Sequence, residues 1–108
     1  MPKGWLSGVV TAFTLLLPVV AQAQGGDAAA GKTYWGGATA LCRNCHGNNG
    51  EGAFGPDLAG RGLTVAQFAR AVRQPWGVMP AFPDQQVSAA NIANMVAYFD
   101  SLPRVAEP

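Results

Sequence analysis

Cys42-Arg43-Asn44-Cys45-His46-Gly47 is the stretch whose reading decides the fold of this chain. Two thiols three positions apart can reach the two vinyl groups of one haem and form thioethers. An imidazole on the very next residue is then placed under the ring to ligate the iron. The thiol pair alone has other readings: a Cys-x-x-Cys redox pair at a helix start, half of a four-ligand zinc site, or an inert structural disulfide. A redox pair of the thioredoxin kind wants a βαβ context, and no alternating strand pattern occurs here. A zinc site wants a second pair of ligands, and His46 is the single histidine of the chain. A plain disulfide leaves the adjoining imidazole and the glycine-rich run behind it without a purpose.

With one imidazole committed to the iron, thioether sulfur is the usual soft partner for the opposite axial position. Met79 sits in Trp76-Gly77-Val78-Met79-Pro80-Ala81-Phe82-Pro83, a loop with no helical periodicity in which prolines fix the backbone. It lies far enough downstream of His46 for a helix to pass around the ring and deliver the sulfur. The competing reading is a methionine tucked into a loop cluster. Met95 falls on an apolar helical stripe, where methionine usually fills core. Met1 belongs to the N-terminal segment treated below.

Outward from the motif the chain reads as helices joined by irregular loops. Asp27 caps a short helix running to about Trp35, and Gly36-Gly37 end it. The Gly-, Asn- and Pro-rich run from there to Gly62 reads as loop and turn. Thr64 caps a second helix in which Val65, Phe68 and Val72 recur at helical spacing, and Pro75 stops it. Ser88 caps a third with Ile92, Met95, Val96 and Phe99 on one stripe, before Leu102-Pro103. The expected class is therefore all-α, three to four short helices wrapped around one covalently attached haem. Phe54, Leu58, Phe68, Trp76, Phe82 and Tyr98 stand as candidates either to wall the haem or to fill ordinary core. Arg61, Arg70 and Arg73 read as solvated, with haem propionates or an acidic partner as the alternative.

The 108 residues, 49% hydrophobic and 12% charged, allow one foldable domain. A net charge of +1 with no basic run leaves no footprint for nucleic acid or an anionic membrane surface. Lys3 precedes an uncharged run from Leu6 to Ala21, followed by Ala21-Gln22-Ala23 with small residues where a signal peptidase reads. The expectation is a signal peptide over residues 1–23, cleaved after about Ala23, and a single exported domain over 24–108 in the periplasm. An uncleaved anchor is the rival, although the run is shorter than the ~20 residues of a spanning helix and Pro18 interrupts it. No general base besides His46, no Gly-x-Ser-x-Gly and no nucleotide loop is present, which argues against a hydrolase or transferase.

Cys42-Arg43-Asn44-Cys45-His46-Gly47, then Gly55-Pro56-Asp57-Leu58, then Val78-Met79-Pro80, then the terminal Val96-Ala97-Tyr98-Phe99-Asp100-Ser101-Leu102 resemble the bacterial class I monohaem cytochromes c, in the family's order and over roughly Asp27 to Leu102. The resemblance implies haem c bound through Cys42 and Cys45, His46 as proximal ligand and Met79 as distal ligand. It implies that the Pro56 carbonyl accepts the outer imidazole proton of His46. It also implies that Gly31 and Trp35 of the first helix cross the last against Tyr98 and Phe99. The stretch from Gly36 to Leu41 is longer than the family's usual link. The resemblance further implies one-electron transfer between redox protein partners, a periplasmic dehydrogenase as donor and an oxidase or another cytochrome as acceptor. Two alternatives stay open: a peroxidase-like haem enzyme or sensor whose sixth position is open, and a cytochrome subunit anchored in a larger membrane complex.

Overall fold

The computed structural model describes Gly4 and residues 8–15, 25–37 and 41–107. Most of the segment assigned to a signal peptide, with its cleavage point after Ala23, lies outside the described residues. No helix among those described is long and apolar enough to cross a membrane. Among the described residues the architecture is all-α, with four helices in the order α1 (Ala28–Gly36), α2 (Arg43–His46), α3 (Val65–Arg73) and α4 (Ala89–Asp100).

Each of the three longer helices starts where a side chain satisfies its first amides. The Asp27 carboxylate accepts from Ala29 N and Ala30 N at 2.9 and 3.2 Å. Thr64 and Gln67 form a reciprocal box: Gln67 N donates to Thr64 Oγ1 at 3.1 Å, and Thr64 N donates to Gln67 Oε1 at 2.9 Å. Ser88 Oγ accepts from Asn91 N at 3.2 Å. Helix α2 was expected to be loop. Its composition favours turns, but Cys45 N and His46 N both donate to the Cys42 carbonyl, at 3.2 and 3.0 Å, and one helical turn results. The link before it re-enters at Leu41 with φ of 56°, a left-handed conformation costly for a branched side chain.

Helices α1 and α4 cross at Gly31. A β-carbon there would stand 2.5 Å from the Asn94 carbonyl carbon and 2.9 Å from Met95 N, so only glycine lets the two backbones meet. Asp27 N donates to Asn94 Oδ1 at 2.9 Å, which fixes the register of the crossing. The core gathers around Phe99. Trp35 meets it edge-on at 4.7 Å and 88°, Phe68 stacks at 6.0 Å, and Tyr98 lies at 5.2 Å. Ile92, Met95, Val96 and Val87 complete it, each 1 or 2% exposed. Tyr98, absent from the expected stripe, is buried too and donates to Asn49 Oδ1 at 3.2 Å, tying α4 to the loop after α2.

Candidate functional site

Helix α2 is held from both sides. Gly55 N donates to the Cys45 carbonyl and Gly52 N to the His46 carbonyl, both at 2.7 Å. From α1, the buried Trp35 indole N–H donates to the Gly47 carbonyl at 3.0 Å. The Glu51 carboxylate accepts from Asn48 N at 3.2 Å and Asn49 N at 2.6 Å. Its own backbone amide and those of Asn49 and Asn48 hold its pKa below the ordinary value.

His46 Nδ1 lies 2.8 Å from the Pro56 carbonyl oxygen. A carbonyl only accepts, so Nδ1 carries the proton and the Nε2 lone pair is left to face outward from that bond. Gly55 makes the approach possible, because a β-carbon there would stand 2.7 Å from the imidazole Cε1 and 2.8 Å from Nδ1. Asp57, next to Pro56, accepts two bonds from Arg61, from Nε at 3.0 Å and Nη2 at 2.7 Å. That hydrogen-bonded guanidinium holds the Asp57 carboxyl below its usual value. Arg61 is thus committed to this pair.

His46 opens onto a small cleft whose exposed lining is apolar. Its wall draws Trp35 from α1, Cys42 and His46 around α2, Leu58 from the loop before α3, Phe68 and Val72 from α3 itself, Met79 and Phe82 from the loop after it, then Val87 and Met95. The imidazole and the sulfur atoms stand among aliphatic and aromatic carbon. No disulfide joins Cys42 and Cys45. Burial pushes the Cys42 thiol above its ordinary pKa, so the sulfur is protonated at neutral pH. Cys45, on the same helical turn, is exposed.

The cleft therefore brings Cys42, His46 and Met79 together and leaves Cys45 at the surface beside them. Met95 also reaches the wall, but it is 1% exposed and fixed in α4, whereas Met79 is half-buried on a loop. Of the aromatic candidates, Phe68 and Phe82 line the cleft and Tyr98 belongs to the core. Phe54 and Trp76 do neither, being 99% and 81% exposed. Arg73 is not simply solvated: Nη1 donates to the Phe82 carbonyl at 2.9 Å and Nη2 to Asp84 Oδ1 at 3.1 Å. The Trp35–Gly47 bond was not foreseen, and an indole four residues after Gly31 carries no sign of it. Among the described residues no group of three His, Cys, Asp or Glu side chains is arranged to hold a metal ion.

The donor set fits haem c. It offers two thiols spaced for thioethers, an imidazole with its proton held outward, a thioether sulfur and a dry wall.

Residues 26–99 match the sequence model of a family described as cytochrome C oxidase, cbb3-type, subunit III. A curated relative, the menaquinol:cytochrome c reductase cytochrome c subunit of Geobacillus thermodenitrificans, is 44% identical over 39 residues. Those residues cover 36% of this chain, and the chain spans only 16% of that relative. Among solved structures, a chain of p-cresol methylhydroxylase crystallised with substrate bound superposes with a TM-score of 0.58 at 35% identity, covering 74% of this chain and 97% of that one. The outer membrane cytochrome OmcF of Geobacter sulfurreducens superposes with a TM-score of 0.50 at 25% identity, covering 68% and 99%.

Proposed function

The chain belongs to the cytochrome c domain family matched over residues 26–99, and on that footing we propose that it is an exported monohaem electron carrier with His46 and Met79 as axial ligands. The observation that carries the reading is the His46 Nδ1 to Pro56 carbonyl bond at 2.8 Å, made on the same cleft that Met79 lines. Cys42 and Cys45 would anchor the haem as thioethers. Bound there, it supplies a reversible one-electron couple.

The remaining work is done by the chain. The Pro56 carbonyl orients the imidazole. Trp35, Leu58, Phe68 and Val72 exclude water from the cleft, which limits solvent reorganisation when charge changes. Met79 would supply a sulfur ligand from the loop, and donor and acceptor proteins would exchange electrons at the molecular surface with no substrate bound at the metal. Residues 24–108 form the mature domain, released into the periplasm once 1–23 are removed. A second reading, a cytochrome subunit of an oxidoreductase, is favoured by the 35% identity with a chain of p-cresol methylhydroxylase over 97% of its length.

The Met79→Ala holoprotein tests the assignment. It is expected to keep its haem, lose the long-wavelength thioether-to-iron absorption band, fall in potential and bind added cyanide quickly. A wild-type protein that lacks the band and binds cyanide as fast as the variant would replace the carrier by an open-site haem enzyme. Mass spectrometry of the exported protein is expected to find an N-terminus near Gln24 and one added haem; a retained Met1 would favour the anchored form.

A further inference from the structure

The loop that carries Met79 is fastened at its two ends only. It leaves α3 where Gln74 N donates to the Arg70 carbonyl at 2.7 Å. Among the described residues no hydrogen bond joins residues 75–81 to the rest of the chain. Trp76 and Val78 stand 81% and 103% exposed, whereas Met79, the residue after Val78, packs inward against the core. At Phe82 the chain is gripped again. Phe82 N donates to the Val72 carbonyl at 2.9 Å, Arg73 Nη1 donates to the Phe82 carbonyl at 2.9 Å, and Arg73 Nη2 reaches Asp84 Oδ1 at 3.1 Å.

Two of those three bonds come from one guanidinium. Arg73 is 27% exposed along its side chain and Asp84 72%, so the ion pair is screened while the bond to the Phe82 carbonyl is the sheltered one. The planar fork of arginine serves both acceptors at once; a lysine ammonium on a flexible stem does not.

We infer that Arg73 is the latch of this arm, a positioning residue that holds the Met79 sulfur in the cleft and sets how readily an outside ligand displaces it. The inference rests on the reading of Met79 as distal ligand. Displacing Met79 pulls on the Phe82 segment that follows it, and Arg73 holds that segment with bonds at Phe82 and Asp84, three and five residues beyond the sulfur.

Stopped-flow binding of imidazole to the ferric holoprotein, well below its melting temperature, tests the latch. Arg73→Gln is expected to bind imidazole about tenfold faster than wild type, the factor equivalent to one lost hydrogen bond to a charged group. Arg73→Lys should fall between, Asp84→Asn should stay within about twofold because its pair is exposed, and Arg70→Gln, on the exposed side of α3, should match wild type. A general loss of stability would lower the melting temperature without this ranking. If Met79→Ala loses the thioether band while Arg73→Gln keeps the wild-type imidazole rate, the latch is refuted and the ligand assignment stands. If Met79→Ala retains the band, both fall together. Should Arg73→Gln yield no folded holoprotein, a wild-type rate in Arg73→Lys overturns the inference.

Discussion

A methyl group at Gly31 is the smallest change that reaches both the fold and the site. The added carbon would stand 2.5 Å from the Asn94 carbonyl carbon and 2.9 Å from Met95 N, and nearer still to the Asn94 oxygen. All three are backbone atoms of α4 and cannot rotate aside. Ordinary carbon contacts lie at ~3.5–4.0 Å, so α1 and α4 must part by about 1 Å. Overpacking of this kind costs ~1–3 kcal/mol, and rigid neighbours place it near about 3. Alanine recovers up to about 1 kcal/mol through helix propensity, leaving a net loss of about 2 kcal/mol. For a domain of this size that corresponds to a fall in melting temperature of about 8–16 °C. Gly36→Ala is the matched control, since nothing lies within 4 Å of its β-carbon position; it should be neutral or stabilised by up to about 1 kcal/mol. Thermal unfolding of the two holoproteins, followed by circular dichroism, gives both values. A Gly31→Ala protein that melts with or above wild type would refute the close crossing.

Met95→Ala should cost about 2–5 kcal/mol through a core cavity while leaving the thioether band intact, as read by chemical unfolding and absorption spectroscopy of one sample; loss of the band would reassign the distal ligand. Trp35→Phe keeps the ring contact with Phe99 but removes one of the two bonds to the buried Gly47 carbonyl, which still accepts from Gly50 N at 3.2 Å, so a loss of about 0.5–1.5 kcal/mol is expected in denaturant titration, and no loss would mean the indole N–H contributes nothing. Glu51 has its folded-state pKa depressed, so it stabilises the fold above its unfolded value of 4.5 and that contribution disappears as pH falls through the lower folded value. The melting-temperature gap between wild type and Glu51→Gln should therefore be constant from about pH 7 to 5 and close in more acid buffer; a gap independent of pH would show that the amides do not select the ionised carboxylate.

The helices were legible because each has a short-range cause in the sequence. Asp27, Thr64 and Ser88 announce their starts, and Phe68, Val72, Ile92 and Phe99 recur at the helical period. The motif residues were legible for the same reason, all lying within Cys42 to His46. What escaped the sequence is what depends on distant partners. Cys42 to His46 coil into a turn because their amides converge on the Cys42 carbonyl, a pairing that their turn-prone composition masks. Phe54 and Trp76 read like core by residue type, and only their placement on outward loops exposes them. Arg73 reads as a solvated helix face, since its two acceptors arrive from beyond Pro80. Gly31 was singled out as a crossing residue by resemblance alone, for nothing local distinguishes a glycine facing a backbone from one facing water.

The bond from Asp27 to Asn94 joins residues 67 positions apart, and this separation governs how the molecule can fold. Closing a flexible loop of that length carries an entropic cost of about 4 kcal/mol before any contact is made. The α1–α4 crossing is therefore a long-range contact that bears this closure cost. The cleft lies between the same two helices, with Trp35 of α1 and Met95 of α4 each forming part of its wall. Whatever fills the cleft therefore touches both partners of the crossing and lowers the cost of holding residues this distant in sequence side by side.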